Sequence, residues 1–257
     1  LEKREKGTME ITRSPFQGVL NILRFNQHFY VLGLSVLILI VGSFWFLQWS
    51  NFLFLMVIFT ICYGLFMPLI VSLYVYDLTG FYRFDWLKEL NLDDRSERCH
   101  LNIHAGFDET SFHLEGLFPK ASLQAFDFYN EKLHTEPAIV RARKVSLVYP
   151  NTQQIDTSLI PLTEESVDTI FIIFAAHEVR SFMEKVTFLK ECRRVCKLGG
   201  NVVMVEHLRD LPNFLAFSIG FTHFYSRQTW LKAYKEAGFT SIKERKFTPF
   251  LSIFNCH

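Results

Sequence analysis

Between Phe25 and Tyr76 the chain carries no Asp, Glu, Lys or Arg, and this run constrains the fold more than any other feature. It divides at Gln48-Trp49-Ser50-Asn51 into two apolar stretches, about Phe29 to Trp49 and Phe52 to Tyr76. Each exceeds the roughly 20 residues a helix needs to cross the hydrocarbon of a bilayer. A helix buried in a soluble core normally keeps one polar stripe, and these keep almost none. A secretory signal peptide is shorter and single. Trp45, Trp49, Tyr74 and Tyr76 lie near the ends of the stretches, where amphipathic rings favour the headgroup zone, and Pro68 predicts a kink. Arg13 and Arg24 precede the pair, Arg83, Lys88, Arg95 and Arg98 follow it, and the connecting turn is uncharged. The positive-inside tendency then puts both ends in the cytoplasm. The expectation is an integral protein of the inner (cytoplasmic) membrane. A transmembrane helical hairpin (residues 29–76) follows a cytoplasmic N-terminal segment (residues 1–28) and offers a route to a homo-oligomer. Leu1 to Thr8, ahead of Met9, are expected to lie outside the fold.

The 257 residues leave room for one soluble domain beyond the hairpin. With 27 Lys and Arg against 26 Asp and Glu, there is no broad basic surface of the kind that neutralises a phosphate backbone, so nucleic acid is not an expected partner. The five cysteines are scattered, without a C-x-x-C pair or zinc-ligand spacing, and read as reduced thiols. Asp77 to Arg98 mixes aromatic and charged residues (Phe81, Tyr82, Phe84 and Trp86 with Arg83, Asp85 and Lys88). It reads as an amphipathic link lying along the membrane interface or docked on the following domain.

From Cys99 onward, short apolar runs alternate with helix-like stretches, the pattern of a parallel sheet covered on both faces. Strands are expected at Cys99 to His104, Ser122 to Phe126, Gln153 to Asp156, Thr169 to Phe174 and Asn201 to Val205. Thr135 with Pro137 marks a helix start. Phe182, Val186, Leu189 and Val195 recur at helical spacing within Glu178 to Lys197, a helix that Gly199-Gly200 would end, and Gln228 to Ala237 forms the last helix. Ile242 to Glu244 and Phe250 to Phe254 close the sheet as an antiparallel pair. The fold class is therefore α/β: a Rossmann-like, doubly wound, mostly parallel sheet with an antiparallel closing strand over residues 99–257, preceded by the hairpin and the link (77–98).

In such sheets a ligand sits beyond the carboxyl ends of the strands, at the switch point beside the first strand. The first turn there is Asn102-Ile103-His104-Ala105-Gly106-Phe107-Asp108. A carboxylate such as Asp108 at a helix start repels a pyrophosphate, which wants bare N–H donors, so a ligand without phosphate fits better; alternatively Asp108 simply caps the helix. Asp127, followed by Phe128, lies about 20 residues past Gly106, the spacing at which an acid ending the second strand binds ribose hydroxyls. The third turn is Asp156-Thr157-Ser158-Leu159-Ile160-Pro161-Leu162, and Ser166-Val167-Asp168 opens the fourth strand.

Over Cys99 to about Phe254 this order resembles the class I S-adenosylmethionine-dependent methyltransferases of the broad small-molecule group. Their third turn reads G-D-x-x-x-L-P-F followed by S-F-D, and their fifth strand follows R-V-L-K-P-G-G. Here the matching residues are Asp156 to Leu162, Ser166 to Asp168, and Arg194-Val195-Cys196-Lys197-Leu198-Gly199-Gly200. The resemblance implies S-adenosylmethionine as cofactor, with Gly106 at its methionine moiety, Asp127 at the ribose and Asp156 with Thr157 at the adenine. Against the family's D/E-x-G-x-G-x-G loop only Gly106 survives, with Asn102 in the acidic place and His104 and Asp108 in two glycine places. These three and Phe128 complete the expected cofactor set. The whole chain also resembles membrane-anchored methyltransferase-like proteins of bacteria, in Phe174-Ala175-Ala176-His177-Glu178 and Glu206 to Phe214.

The ends of the fourth and fifth strands carry His177, Glu178, Glu206, His207, Arg209 and Asp210, and His223 and Tyr225 follow. Methyl transfer is an in-line displacement in which the enzyme aligns the partners and, for a hydroxyl acceptor, removes a proton. A histidine suits that step near neutral pH. His207 is the first expectation for the base and His177 the second, with Glu178, Arg209, Asp210, His223 and Tyr225 around the acceptor. His177, Glu178, Glu206, His207 and His223 could instead gather zinc, manganese or iron, but no tight H-x-x-x-H or H-x-E spacing supports this, and no metal is expected. The hairpin suggests a hydrophobic, membrane-partitioned small molecule or lipid as acceptor. The alternatives are a non-catalytic membrane-tethered scaffold with a degenerate cofactor site and a metal-dependent enzyme using the His/Glu cluster.

Overall fold

The structure, a computed structural model, describes residues 13–90, 98–133 and 137–257; Leu1 to Thr8, Arg95 and Thr135 lie outside them. Helix α1 (Gln17–Phe25) precedes two long apolar helices, α2 (Gln27–Phe46) and α3 (Asn51–Ser72). Both are long and apolar enough to cross a membrane. Ser50 caps α3 by accepting the Leu53 N–H at 3.3 Å. Past Pro68, α3 runs on into a π-helical turn, Leu73–Leu78.

Seven strands form one sheet in the order β3-β2-β1-β4-β5-β7-β6. They are β1 (Cys99–His104), β2 (Ser122–Asp127), β3 (Gln153–Gln154), β4 (Val167–Ile173), β5 (Cys196–His207), β6 (Ile242–Thr248) and β7 (Leu251–Cys256). The first five are mutually parallel, and β7 enters antiparallel between β5 and β6. The doubly wound expectation holds, with its switch point between β1 and β4. The intervening helices are α4 (Ser111–Leu117), α5 (Pro137–Val145), α6 (Phe182–Val195), α7 (Leu211–Phe217) and α8 (Arg227–Glu236).

Strands buried on both faces read as continuous apolar runs, and Ile170 to Ile172 and Val202 to Val205 are fully buried. One face carries Ile170, Ile172, Val202 and Met204 beneath Phe188, Leu189, Trp230 and Tyr234 of α6 and α8. The other carries Phe171, Val203 and Val205 beneath Val71 and Val75 at the end of α3, and beneath Phe81, Phe84, Trp86 and Leu87. The described part of the link is therefore docked on the domain. It is the covering layer of the second face, with Phe81 stacked on Trp86 at 5.7 Å between centroids and the Trp86 indole donating to the Phe81 carbonyl at 3.1 Å. Burying each such ring stabilises the layer by about 2 kcal/mol.

Two boundaries differ from the sequence expectation. Helix α6 stops at Val195, because Cys196 already pairs with Val167 of β4, and Gly199-Gly200 falls inside β5. A Cβ at Gly200 would stand 2.8 Å from the Asp168 carbonyl oxygen, so the close strand approach there requires glycine. Strand β5 also continues to His207, which decides the geometry of the site.

Candidate active site

Successive side chains on a strand point to opposite faces, so Glu206 and His207 cannot serve the same cluster. Glu206, fully buried, turns towards His177 and accepts from its Nδ1 at 2.7 Å and from its backbone N–H at 3.2 Å. A carboxylate only accepts, so in the neutral ring Nδ1 carries the proton and Nε2 presents its lone pair. His177 is brought there by an unusual turn. β4 is followed by Phe174, a residue with a Cβ at φ 52, a conformation costly enough to need support from its surroundings. The Phe174 N–H donates to the Val205 carbonyl at 2.9 Å, and the chain then enters the 3-10 turn Ala176–Glu178.

His177 Nε2 lies 3.5 Å from Glu178 Oε1, and His223 Nε2 lies 3.7 Å from the same oxygen. The three ligand atoms all fall within 4.8 Å of one another, so this set could hold a divalent ion of the zinc or manganese type. The three residues line a cavity of about 220 Å³ over the carboxyl ends of β1 and β4. Its other walls are Ala105, Phe107 and Glu109 after β1, Ala138, Ile139 and Ala142 of α5, and Tyr76 from the π turn. Helix α1 closes it with Gly18, Asn21, Ile22 and Phe25. Glu109 locks this lid: it accepts from Asn21 Nδ2 at 3.0 Å and from the Tyr82 hydroxyl at 2.7 Å, and pairs with Arg13 at 3.1 Å. The Gly18 N–H donates to Asp77 at 2.9 Å.

Beside the cavity lies the expected cofactor loop. Asn102 Nδ2 donates to Asp108 Oδ1, Thr110 Oγ1 and Ser111 Oγ at 3.3, 2.9 and 2.8 Å. Asp108 also accepts the N–H groups of Thr110 and Ser111, both at 2.9 Å, so it does tie down the start of α4. His104 Nδ1 accepts the Gly106 N–H at 3.1 Å. Asn102 Oδ1, His104 Nε2 and Asp108 Oδ2 are buried without a hydrogen-bond partner among the described residues. Gly106 sits at φ +84, and Arg143 of α5 lies against it so closely that a Cβ there would be 1.9 Å from the guanidinium.

The same guanidinium donates to Asp127 Oδ2 at 2.8 Å and stacks over the Tyr129 ring at 4.0 Å. Asp127 Oδ1 accepts the Tyr129 N–H at 2.8 Å. Beyond Arg143 a groove of about 500 Å³ runs between the ends of β2 and β3, lined by Phe128, Tyr129, Gln154, Asp156, Thr157 and Glu184 among others. Asp156 accepts from the Ser158 N–H and hydroxyl at 2.8 and 2.6 Å, bonds that hold its carboxyl below the usual range. Thr157 donates to Glu184 at 2.8 Å. Phe128 is mostly core, packed on Phe188 at 5.5 Å.

The residues present fit an elongated nucleoside bearing an amino acid: a groove at one end, an acid and a bare glycine in the middle, and unpaired buried polar atoms at the other. The condition is that Arg143 moves aside.

Four expected acceptor residues stand elsewhere. His207 does not line the cavity. Its Nδ1 faces Asn213 Oδ1 and the Phe250 carbonyl at 3.0 and 3.1 Å, and its Nε2 accepts the Tyr76 hydroxyl at 2.7 Å. Burial pushes its pKa down to about 4. Arg209 donates to the carbonyls of Phe224 and Thr222, and Asp210 caps α7 through the Asn213 N–H at 3.1 Å while pairing with Lys246 at 2.8 Å. The Tyr225 hydroxyl donates to the Arg180 carbonyl at 3.0 Å, and the Tyr225 ring covers the Lys185 ammonium at 3.4 Å. That buried ammonium, its pKa lowered to about 8 by desolvation, donates to the Val179 and Arg180 carbonyls and so pins the turn after Glu178. Sequence reasoning missed Tyr76, Arg143, Glu109 and the α1 lid. The lid's signal was present in Gly18, Ile22 and Phe25, spaced to share one helix face.

Residues 103–204 match the family described as a methyltransferase domain. No curated protein matches the chain in sequence. Among solved structures, human N-acetylserotonin methyltransferase in complex with SAM, 13% identical, covers 96% of this chain and 72% of its own with a TM-score of 0.53. PigF with SAH, 15% identical, covers 77% and 59% with a TM-score of 0.50. A SAM-dependent methyltransferase from Aquifex aeolicus, 20% identical, covers 70% and 93% with a TM-score of 0.47. At these identities the likeness is one of fold.

Proposed function

We propose that this chain, whose residues 103–204 match a methyltransferase-domain family and whose fold is that of the S-adenosylmethionine-dependent enzymes, transfers a methyl group from S-adenosylmethionine to a lipid or apolar small molecule that partitions into a membrane. The observation that carries this reading is the cavity walled by His177, Glu178 and His223 over the ends of β1 and β4, beside a second groove at the ends of β2 and β3 lined by Asp156 and Thr157.

Asp127 would hold the ribose hydroxyls, Asp156 and Thr157 the adenine end, and Asn102, Gly106, His104 and Asp108 the methionine end. The cofactor supplies an electrophilic methyl on a sulfonium. The chain's own groups then orient the acceptor and manage its proton. His177 Nε2 faces the cavity and removes the proton of a hydroxyl acceptor, while the Glu206 carboxylate on Nδ1 keeps the ring oriented and stabilises the imidazolium that forms. Glu178, 3.5 Å from His177 Nε2, favours the same charge. The α1 lid excludes water from the reacting atoms. Tyr76 presents its ring to the acceptor and passes its hydroxyl hydrogen bond back to His207.

The largely apolar walls suit an apolar acceptor. α2 and α3 supply the reason for one that dissolves in lipid, because a tether raises the encounter rate only with a partner held in the same membrane. Both ends of the hairpin, and the domain, would face the cytoplasm, and the outer faces of the hairpin would meet lipid or a second copy. The test is incubation of the purified full chain with methyl-labelled S-adenosylmethionine and a total membrane lipid extract. Label is expected in an organic-soluble product, and its absence from every such product, with cofactor binding intact, refutes the acceptor class.

A further inference from the structure

The segment from Leu211 to Thr222 carries no Asp, Glu, Lys or Arg, and its two faces have opposite fates. Asn213 and Ala216 of α7 are buried against the sheet, whereas Leu211, Phe214, Leu215 and Ile219 are 67%, 46%, 47% and 82% exposed. A soluble surface rarely leaves four large apolar side chains together on so short a stretch. What lies beside them is α3. The Tyr63 hydroxyl donates to the Leu215 carbonyl at 2.6 Å.

That bond is informative about the surrounding medium. Leu215 lies in the last turn of α7, where a carbonyl has no partner within the helix and normally turns to water. Here a side chain of the apolar helix supplies the donor, as is required where water is absent. The position agrees. A helix entering the hydrocarbon at Asn51 leaves a ~30 Å core after about 20 residues, near Val71, so Tyr63 stands roughly 12 Å inside it. Phe59 and Phe66 on α3, 66% and 52% exposed, continue the apolar surface.

We infer that α7 and the following turn to Ile219 are embedded in the leaflet next to the catalytic domain, with the acyl chains of lipids as their partner. This rests on the membrane reading of α2 and α3 and deepens it. His223, the residue after this segment, is a wall of the cavity, so an acceptor dissolved in that leaflet reaches the site along α7 without crossing water.

The test uses the full chain in vesicles of phosphatidylethanolamine and phosphatidylglycerol. The photoreactive p-benzoylphenylalanine is placed singly at Ile219, at Phe59 in α3, or at Leu198, which is 87% exposed at the far edge of the domain. On irradiation, mass spectrometry should find acyl-chain adducts from positions 59 and 219 and none from 198. Adducts from 59 alone would overturn the inference while leaving the hairpin in the membrane. No adduct from either would remove the membrane reading itself. A cross-link from 219 to a second copy of the chain would also overturn it, by showing that another protomer covers this face.

Discussion

The guanidinium of Arg143 is bonded to the carboxylate of Asp127 at 2.8 Å and lies in the space that Gly106 leaves bare. The acid proposed for ribose hydroxyls thus already has a partner, a side chain of the same protein that also covers the Tyr129 ring. Charge-assisted bonds of this kind are worth about 1.5–3 kcal/mol when buried, and less here because the Arg143 side chain is 31% exposed.

With Asp127 proposed to hold the ribose, cofactor binding would have to break that contact, so Arg143→Ala is expected to tighten S-adenosylmethionine binding roughly 3- to 10-fold by calorimetry, while Asp127→Ala weakens it at least ~10-fold. Weaker binding by Arg143→Ala would show instead that the guanidinium holds the cofactor, as it would if it grips the methionine carboxylate.

Gly106→Ala should impair the protein in two separable ways. The added methyl collides with Arg143, and the φ of +84 is strained for any residue with a Cβ. The strain alone costs about 1–2 kcal/mol. Combining the substitution with Arg143→Ala should relieve the collision but not the strain, so the double variant should still melt below Arg143→Ala alone.

His177→Ala and Glu206→Gln should each lower methyl transfer by about 10²- to 10⁴-fold, the range for losing or misorienting a general base. Cofactor affinity, measured separately, should change less than ~2-fold. Should affinity fall in step with rate, the pair would belong to the cofactor rather than to the acceptor.

Acid should destabilise the fold well before its carboxylates protonate. Burial holds both His100 and His207 near a pKa of about 4, against an ordinary 6.5. As pH falls from 6.5 towards 4, the unfolded chain takes up protons that the folded chain refuses. The stability these neutral rings confer is complete above pH 6.5 and is lost through that window, at up to about 1.4 kcal/mol per unit for each ring. Thermal melts of the detergent-solubilised chain should record the decline. His100→Phe should roughly halve it, leaving the His207 share, with little change at pH 8, since the ring sits edge-on to Phe118 and Phe171 at 4.7 and 5.8 Å.

Much of the sheet was legible because its signals are local. The run Cys99 to His104 is a strand in both accounts, and Phe182, Val186 and Leu189 face the core as their spacing predicts. What could not be read was decided by tertiary pairing. Only the ladder to Val167 shows that β5 begins at Cys196, and only β5 reaching His207 separates it from Glu206. With that alternation known, His177 is the histidine that lines the cavity and His207 a ring bonded to Tyr76. The link was ambiguous because aromatic residues interleaved with charges suit a lipid interface and a sheet face equally. Arg143 was hidden for another reason: a basic residue in the last turn of α5 has an ordinary explanation in the helix dipole.

The hydrogen bond from Tyr76 to His207 ties the first full turn after α3 to the end of β5, and Val71 and Val75, at the same junction, are packed into the sheet. There is no slack in that joint. If α3 spans a bilayer, the domain rides at one altitude above the phosphates, and the enzyme would choose among acceptors partly by how far their reactive atom stands from the bilayer midplane. Lengthening or shortening an acceptor's tail would then act as retuning a gauge, moving the atom past His177 rather than changing the shape it must fit.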